Sequence, residues 1–181
     1  MVATETYSRL ISYLDEHGAH YRLIDHPPEG RTELVSPMRG NVLSQAAKCI
    51  IMILKIGKKA TKYILAVVPG DARVNLNAVK ALMSGTYVSF ASRDVAEQLA
   101  GSVAGTVLPF AFSSQLELIV DPAVLENDEI YFNAARLDRS MALAVRDYVA
   151  LANPRIERIA EYPECSARAD VRAAAPTDPP N

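Results

Sequence analysis

Lys48-Cys49-Ile50-Ile51-Met52-Ile53-Leu54-Lys55-Ile56 is apolar almost throughout and rich in isoleucine, and the fold class turns on this stretch. An unbroken run of this kind suits a strand buried on both faces, because an amphipathic helix needs a polar stripe that these residues do not supply. Gly57 to Lys62 is polar and carries a glycine, and Tyr63 to Val68 is a second run of strand formers closed by Pro69-Gly70-Asp71. Two antiparallel strands joined as a hairpin are therefore predicted.

Toward the N-terminus, Tyr7, Leu10, Ile11 and Leu14 recur at helical steps behind a capping Thr4, with Gly18 past the end. Tyr21 to Ile24 is a short strand, and Asp25 to Gly30 has loop composition. Thr32 opens a short helix that Pro37 and Gly40 interrupt, and Asn41 to Ala47 reads as another helical turn or two. Downstream, Asn75 or Asn77 caps a helix carrying Leu76, Val79, Leu82 and Met83, Tyr87 to Phe90 is a strand, and Ser92 with Asp94 starts a further helix. Residues 101–112, GSVAGTVLPFAF, read as strand, loop and strand, since glycines free the backbone and Pro109 fixes a turn. Three more strands follow, at Gln115 to Val120, Ile130 to Asn133 and Ser140 to Val145, before Asp147 caps a last helix through Ala152. Strands and helices do not alternate regularly, which excludes a doubly wound parallel sheet. The expected fold is α+β: a mixed, mainly antiparallel sheet closed toward a barrel and flanked by short helices.

At 181 residues, 50% hydrophobic and 22% charged, the chain has the makeup of one globular domain, expected over 1–161. After Tyr162 it holds four of its eleven prolines and few large apolar residues, so 162–181 is expected to be a disordered tail. Cys49 and Cys165 fit no zinc spacing or disulfide framework. The first residues are too charged for a secretory signal, and no apolar run approaches the roughly 18 residues of a membrane span, so a soluble cytoplasmic protein is expected. A net charge of -2 does not mark a nucleic-acid coat protein. Lys55, Lys58, Lys59 and Lys62 gather around one hairpin, where a solvated tip is favoured over a phosphate site.

No phosphate-cradling glycine fingerprint, HExxH helix or GxSxG elbow is present. Two features carry chemistry instead. Lys48 stands at the mouth of a buried strand, where a desolvated ammonium must find an anionic or carbonyl partner or lose its proton. The Gly105 to Phe112 loop can aim backbone N–H groups at an oxyanion or carbonyl. Either feature alone is weak, since most strand-end lysines merely snorkel. His26 before two prolines reads alone as an ordinary loop residue. Cys49, next to Lys48 but on the opposite face of the strand, reads as a buried, inert thiol.

In their order along the chain, AAKCIIMIL around Lys48, LAVVPGDARVNLNAVKAL, the GTVLPFAF loop and DEIYFNAARLDRS resemble the YbaK/ProRS-associated editing-domain family of aminoacyl-tRNA deacylases, over Thr4 to Ile159. Arg39-Gly40, the PFxF after the loop and FNAxxLDxS from Phe132 to Ser140 are similar to its free-standing, YeaK-type Ser/Thr-tRNA deacylase branch. The resemblance implies hydrolysis of the ester joining a wrong, small amino acid to tRNA, Ser or Thr ahead of Ala, with no metal or organic cofactor. It also implies mischarged aminoacyl-tRNA as partner, with an aminoacyl-tRNA synthetase a further candidate, and neither membrane nor DNA. By the same resemblance Lys48 is the essential lysine, and Gly105 and Pro109 are the glycine and proline of a GxxxPxG loop whose last glycine is Ala111 here. Asp138 matches an aspartate lining the pocket, Ala134-Ala135 stand in place of Gly-Gly, and His26 matches a histidine of an early loop. The amides near Gly105 and Thr106 are the expected oxyanion donors. The alternative is a non-catalytic tRNA or aminoacyl-ligand binding module on the same fold, its turnover lost with the glycines.

Overall fold

The computed structural model describes residues 2–163, so the expected C-terminal tail and Cys165 lie outside the described residues but for Tyr162 and Pro163. In chain order the elements are α1 (Val2–Glu16), β1 (Tyr21–Asp25), α2 (Thr32–Arg39), β2 (Ala47–Ile56), β3 (Ala60–Pro69), β4 (Arg73–Val74), α3 (Leu76–Leu82), β5 (Tyr87–Phe90), α4 (Arg93–Ala100), β6 (Leu116–Val120), β7 (Glu129–Asn133), β8 (Arg139–Ala144), α5 (Val145–Ala152), β9 (Arg155–Ile156) and β10 (Ala160–Glu161), with 3-10 turns at Leu43–Gln45 and Pro122–Glu126. β2 and β3 pair antiparallel from Ala47 opposite Pro69 to Ile56 opposite Ala60, the predicted hairpin. β5 adds antiparallel to β2, while β6 joins β3 and β9 joins β6 in parallel, giving the order β5-β2-β3-β6-β9. β1, β8 and β7 form a second, antiparallel sheet, and β4 pairs with β10.

Both faces of the central hairpin are covered, as its continuous apolar sequence requires. Ile51, Leu65, Val67, Leu118 and Val120 point toward Leu10 and Leu14 of α1, Phe132 and Met141 of the second sheet and Tyr148 of α5. Their neighbours Met52, Leu54, Ile64, Ala66 and Ile119 point the other way, onto Val79, Met83 and Ile159. Asn75 caps α3 by accepting from the Ala78 N–H at 2.9 Å, and Ser92 caps α4.

The mixed, mainly antiparallel α+β expectation holds, but the sheets do not close into a barrel. Among the described residues the two main sheets meet through one isolated bridge, Ala46 with Tyr131. Closure needs first and last strands that ladder together. Here the outer strands β5 and β9 are short, and the open faces are covered by helices and the second sheet instead. Residues 101–112 hold no strand either: Gly101 and Gly105 take left-handed φ of 65° and 85°, and Pro109 has no N–H to ladder. The first helix begins before Thr4, and the last begins at Val145 behind Ala144, with Asp147 in its first turn accepting from the His20 N–H at 2.7 Å. The 41–47 segment makes only the single 3-10 turn.

One buried carboxylate ties the C-terminal segment down. Asp121, 4% exposed, accepts from the N–H groups of Ala123, Ile159 and Ala160 at 2.9, 2.8 and 2.7 Å. Asp121→Ala leaves these donors unpaired and should lower the free energy of unfolding by about 3 kcal/mol, read from urea denaturation.

Candidate functional site

Lys48 lies one residue into β2, opposite Val68, where the strand runs out beside the 70–72 turn. Its ammonium donates to the Ala72 carbonyl at 2.9 Å and stands 3.9 Å from Glu33 at the start of α2, so the desolvated cation has the carbonyl partner its position demands. The same lysine lines an open groove of about 420 Å³ with Ile50, Arg73, Asn77 and the half-exposed ring of Phe90.

A second cluster forms where the loop after β1 meets the loop after α4. Gly105 is held at φ 85°, and a Cβ on it would lie 2.7 Å from Gly30 Cα, so the two backbones touch in a way only glycine permits. Asn133, at the end of β7, bonds the pair together: its Nδ2 donates to the carbonyls of Glu29 and Gly105 at 2.8 and 3.0 Å. That leaves Oδ1 to accept from the buried Ser140 hydroxyl at 2.8 Å. With its one proton committed, Ser140 Oγ must accept from His26 Nε2, 2.7 Å away, which fixes Nε2 as the protonated nitrogen of that contact. The His26 N–H continues the β1–β8 pairing by donating to the Asp138 carbonyl at 3.1 Å.

His26, Gly105 and Asp138 thus come together. The Asp138 carboxylate is about half exposed and takes both Arg136 Nε and Nη2, at 2.8 and 2.9 Å. Those hydrogen bonds hold it down to about 2, so it is an anion at neutral pH and no proton donor. Thr106 is fully buried and its N–H donates to the Val103 carbonyl at 3.0 Å, so this amide is spent inside the loop. The Gly105 N–H has no acceptor among the described residues. Pro109 is buried, its carbonyl accepting from Tyr148 OH at 2.9 Å, and so anchors the loop to α5. Ala111 faces elsewhere, into an open groove with Arg9, Tyr13 and Phe112. Ala134 and Ala135 are fully buried, and Ala135 adopts φ 56°, a left-handed conformation that an alanine takes only under strain.

Burial pushes the Cys49 thiol up, in keeping with an inert side chain. Lys58 and Lys59 are exposed at the hairpin tip and Lys62 pairs with Glu117 at 3.3 Å, an ordinary solvated hairpin. Among the described residues no three His, Cys, Asp or Glu side chains gather to hold a metal ion, and no helix is long and apolar enough to cross a membrane.

The family model for the aminoacyl-tRNA editing domain matches residues 26–151, a span that encloses Lys48, Gly105, Asn133 and Ser140. The chain belongs to the aminoacyl-tRNA editing domain family. Among curated proteins it is 36% identical over 152 residues to the Multifunctional Ser/Thr-tRNA deacylase ProXp-y of Escherichia coli (strain K12), covering 83% of this chain and 90% of that one. The same protein of Escherichia coli O157:H7 matches equally. Among solved structures, one described as a hypothetical protein superposes with a TM-score of 0.75 at 24% identity, over 84% of this chain and 99% of that one. A candidate trans-editing enzyme for prolyl tRNA synthetase does so at 0.71 and 20%, over 86% and 97%. These two likenesses are of fold.

In this editing domain the groups that hold the glycine loop are Asn133 and Ser140, two polar positions of the FNAxxLDxS stretch to which the family resemblance assigns no role. The available signal was polarity at strand positions that the apolar pattern would otherwise fill. Asn133→Ala removes both carbonyl bonds, and hydrogen exchange should then quicken in residues 26–30 and 102–106 while the β2–β3 amides keep their protection.

Proposed function

We propose that this protein is a cytoplasmic trans-editing hydrolase of mischarged aminoacyl-tRNA carrying a small amino acid, Ser and Thr ahead of Ala, with residues 1–161 as its editing domain. The observation that carries this reading is the 36% identity to a Ser/Thr-tRNA deacylase across most of both chains. The geometry supports it. Water attacks the ester carbonyl carbon, the π electrons move to oxygen, and collapse expels the ribose oxygen, which takes up the proton that water releases. The free Gly105 N–H is the donor for the oxyanion, and the Gly30–Gly105–Asn133 clamp holds it in place before substrate arrives. Asp138, ionised and half exposed, receives the α-ammonium of the aminoacyl group. Lys48 keeps its bond to Ala72 O and directs its remaining N–H groups to the tRNA end. The neighbouring ribose hydroxyl of the substrate assists the proton transfer, since the carboxylates and histidine of the cluster are committed to partners. A second pocket of this kind is needed because a synthetase discriminates against small or isosteric amino acids by only about 1–3 kcal/mol.

The groove beside Lys48 is where the terminal adenosine docks in this reading, with the base on Phe90 and phosphate on Arg73, since aromatic stacking and cationic contacts are how single-stranded ends are held.

Deacylation of Ala-, Ser-, Thr-, Pro- and Cys-tRNA by the wild type should show turnover of one or two small esters, and Lys48→Ala should lose about 100-fold or more in kcat/KM. No turnover by folded protein that still binds tRNA would favour the binding module. Phe90→Ala should raise KM for the tRNA ester by about tenfold while leaving kcat within about twofold, consistent with the loss of one stacking contact.

A further inference from the structure

Arg39 ends α2 with its side chain turned inward, 7% exposed, and its contacts are poor for a buried cation. Nη1 and Nη2 reach Ser140 Oγ and Ser36 Oγ only at 3.4 Å, and Nε has no partner among the described residues. Asn41, whose Nδ2 shares Ser36 Oγ at 3.4 Å, has a buried Oδ1 without a partner among the described residues. Arg22, Arg31, Arg136 and Arg139 each hold a carboxylate, whereas no carboxylate among the described residues pairs with Arg39. Burial draws its guanidinium down to about 10, so it remains charged at neutral pH.

A charge buried without a counter-charge works against folding, and apolar side chains of similar volume commonly replace buried charged groups with no loss or a gain in stability. Groups of this kind persist where function holds them. What Arg39 touches is the cluster that positions Gly105. Ser140 Oγ gives its proton to Asn133 Oδ1, and its lone pairs face His26 Nε2 and Arg39 Nη1. A cationic donor on that oxygen strengthens the proton it gives to Asn133, which in turn grips the Gly105 carbonyl.

We infer that Arg39 is a positioning residue for ester hydrolysis: its uncompensated charge is held against Ser140 to lock the His26–Ser140–Asn133 cluster and to place a positive field behind the carbonyl oxygen where negative charge develops. The inference rests on the deacylase reading above. Its distinguishing mark is that the charge serves turnover at the expense of stability.

The experiment compares full-length wild type, Arg39→Met and Arg39→Lys for Tm and for steady-state deacylation of the tRNA ester that the wild type prefers. Arg39→Met should melt at or above the wild-type temperature yet lose about 30-fold in kcat, with KM changed by no more than about twofold, and Arg39→Lys should recover part of the kcat. A Tm lowered by more than about 5 °C in Arg39→Met, or its failure to fold, assigns the charge to the fold and overturns the inference. So does an Arg39→Lys no more active than Arg39→Met. An active wild type matched by Arg39→Met overturns this inference alone, whereas a wild type without turnover on any ester overturns the deacylase reading and this inference with it.

Discussion

The β2–β3 ladder is apolar on both faces, and the rest of the molecule is arranged to keep both faces from water. One face takes α1, α5 and the three-stranded sheet; the other takes α3 and the segment around Ile159. Neither layer is optional, since leaving either face in water would expose fully buried side chains such as Leu65 and Val67 on one side or Ile64 and Met52 on the other. The second sheet is thus recruited for packing, and it brings the end of β7 and the start of β8 with it. Asn133 and Ser140 sit there, opposite one another in the ladder. The layer that covers a core is also the layer that carries the cluster.

That cluster is organised by valence. Ser140 has one proton and two lone pairs, and all three are committed once Asn133 has spent its amide protons on two loop carbonyls. The commitments run outward from a buried hydroxyl to the contact of Gly105 with the Gly30 backbone, which admits no side chain on Gly105. A cluster held this way is formed before any ligand arrives, because each of its bonds is made within the fold. Arg39 stands behind the same hydroxyl, the one member of the group whose charge nothing in the described fold balances.

Much of this was legible in the residues. The run from Lys48 to Ile56 announces a doubly buried strand, its polar link and Tyr63 to Val68 announce the antiparallel partner, and Asn75 and Ser92 act as the caps their side chains suit. Lys48 needed an anionic or carbonyl partner and has the Ala72 carbonyl. The Gly105 loop misled, because its apolar residues read as strand whereas Leu108 and Phe110 are core side chains carried on irregular backbone. Thr106 looked like an oxyanion donor because its amide lies next to a glycine, but the turn consumes that amide on Val103. The two-residue strands β4, β9 and β10 left no pattern, being too short to show a period.

The sequence by itself determined the central hairpin, the open question at Lys48 and, through motifs in register, the family. These depend on neighbours along the chain or on one strand's own pattern, which local physics reads directly. Only the tertiary structure decided that the sheets stay open, that Ala111 faces away from the His26 and Gly105 cluster, and that Asn133, Ser140 and Arg39 belong to that cluster. Arg39 and Ser140 stand 101 residues apart, and Asn133 and Glu29 104. Hydrogen bonds across such separations follow from which layer covers which face, and residue type alone does not carry that information.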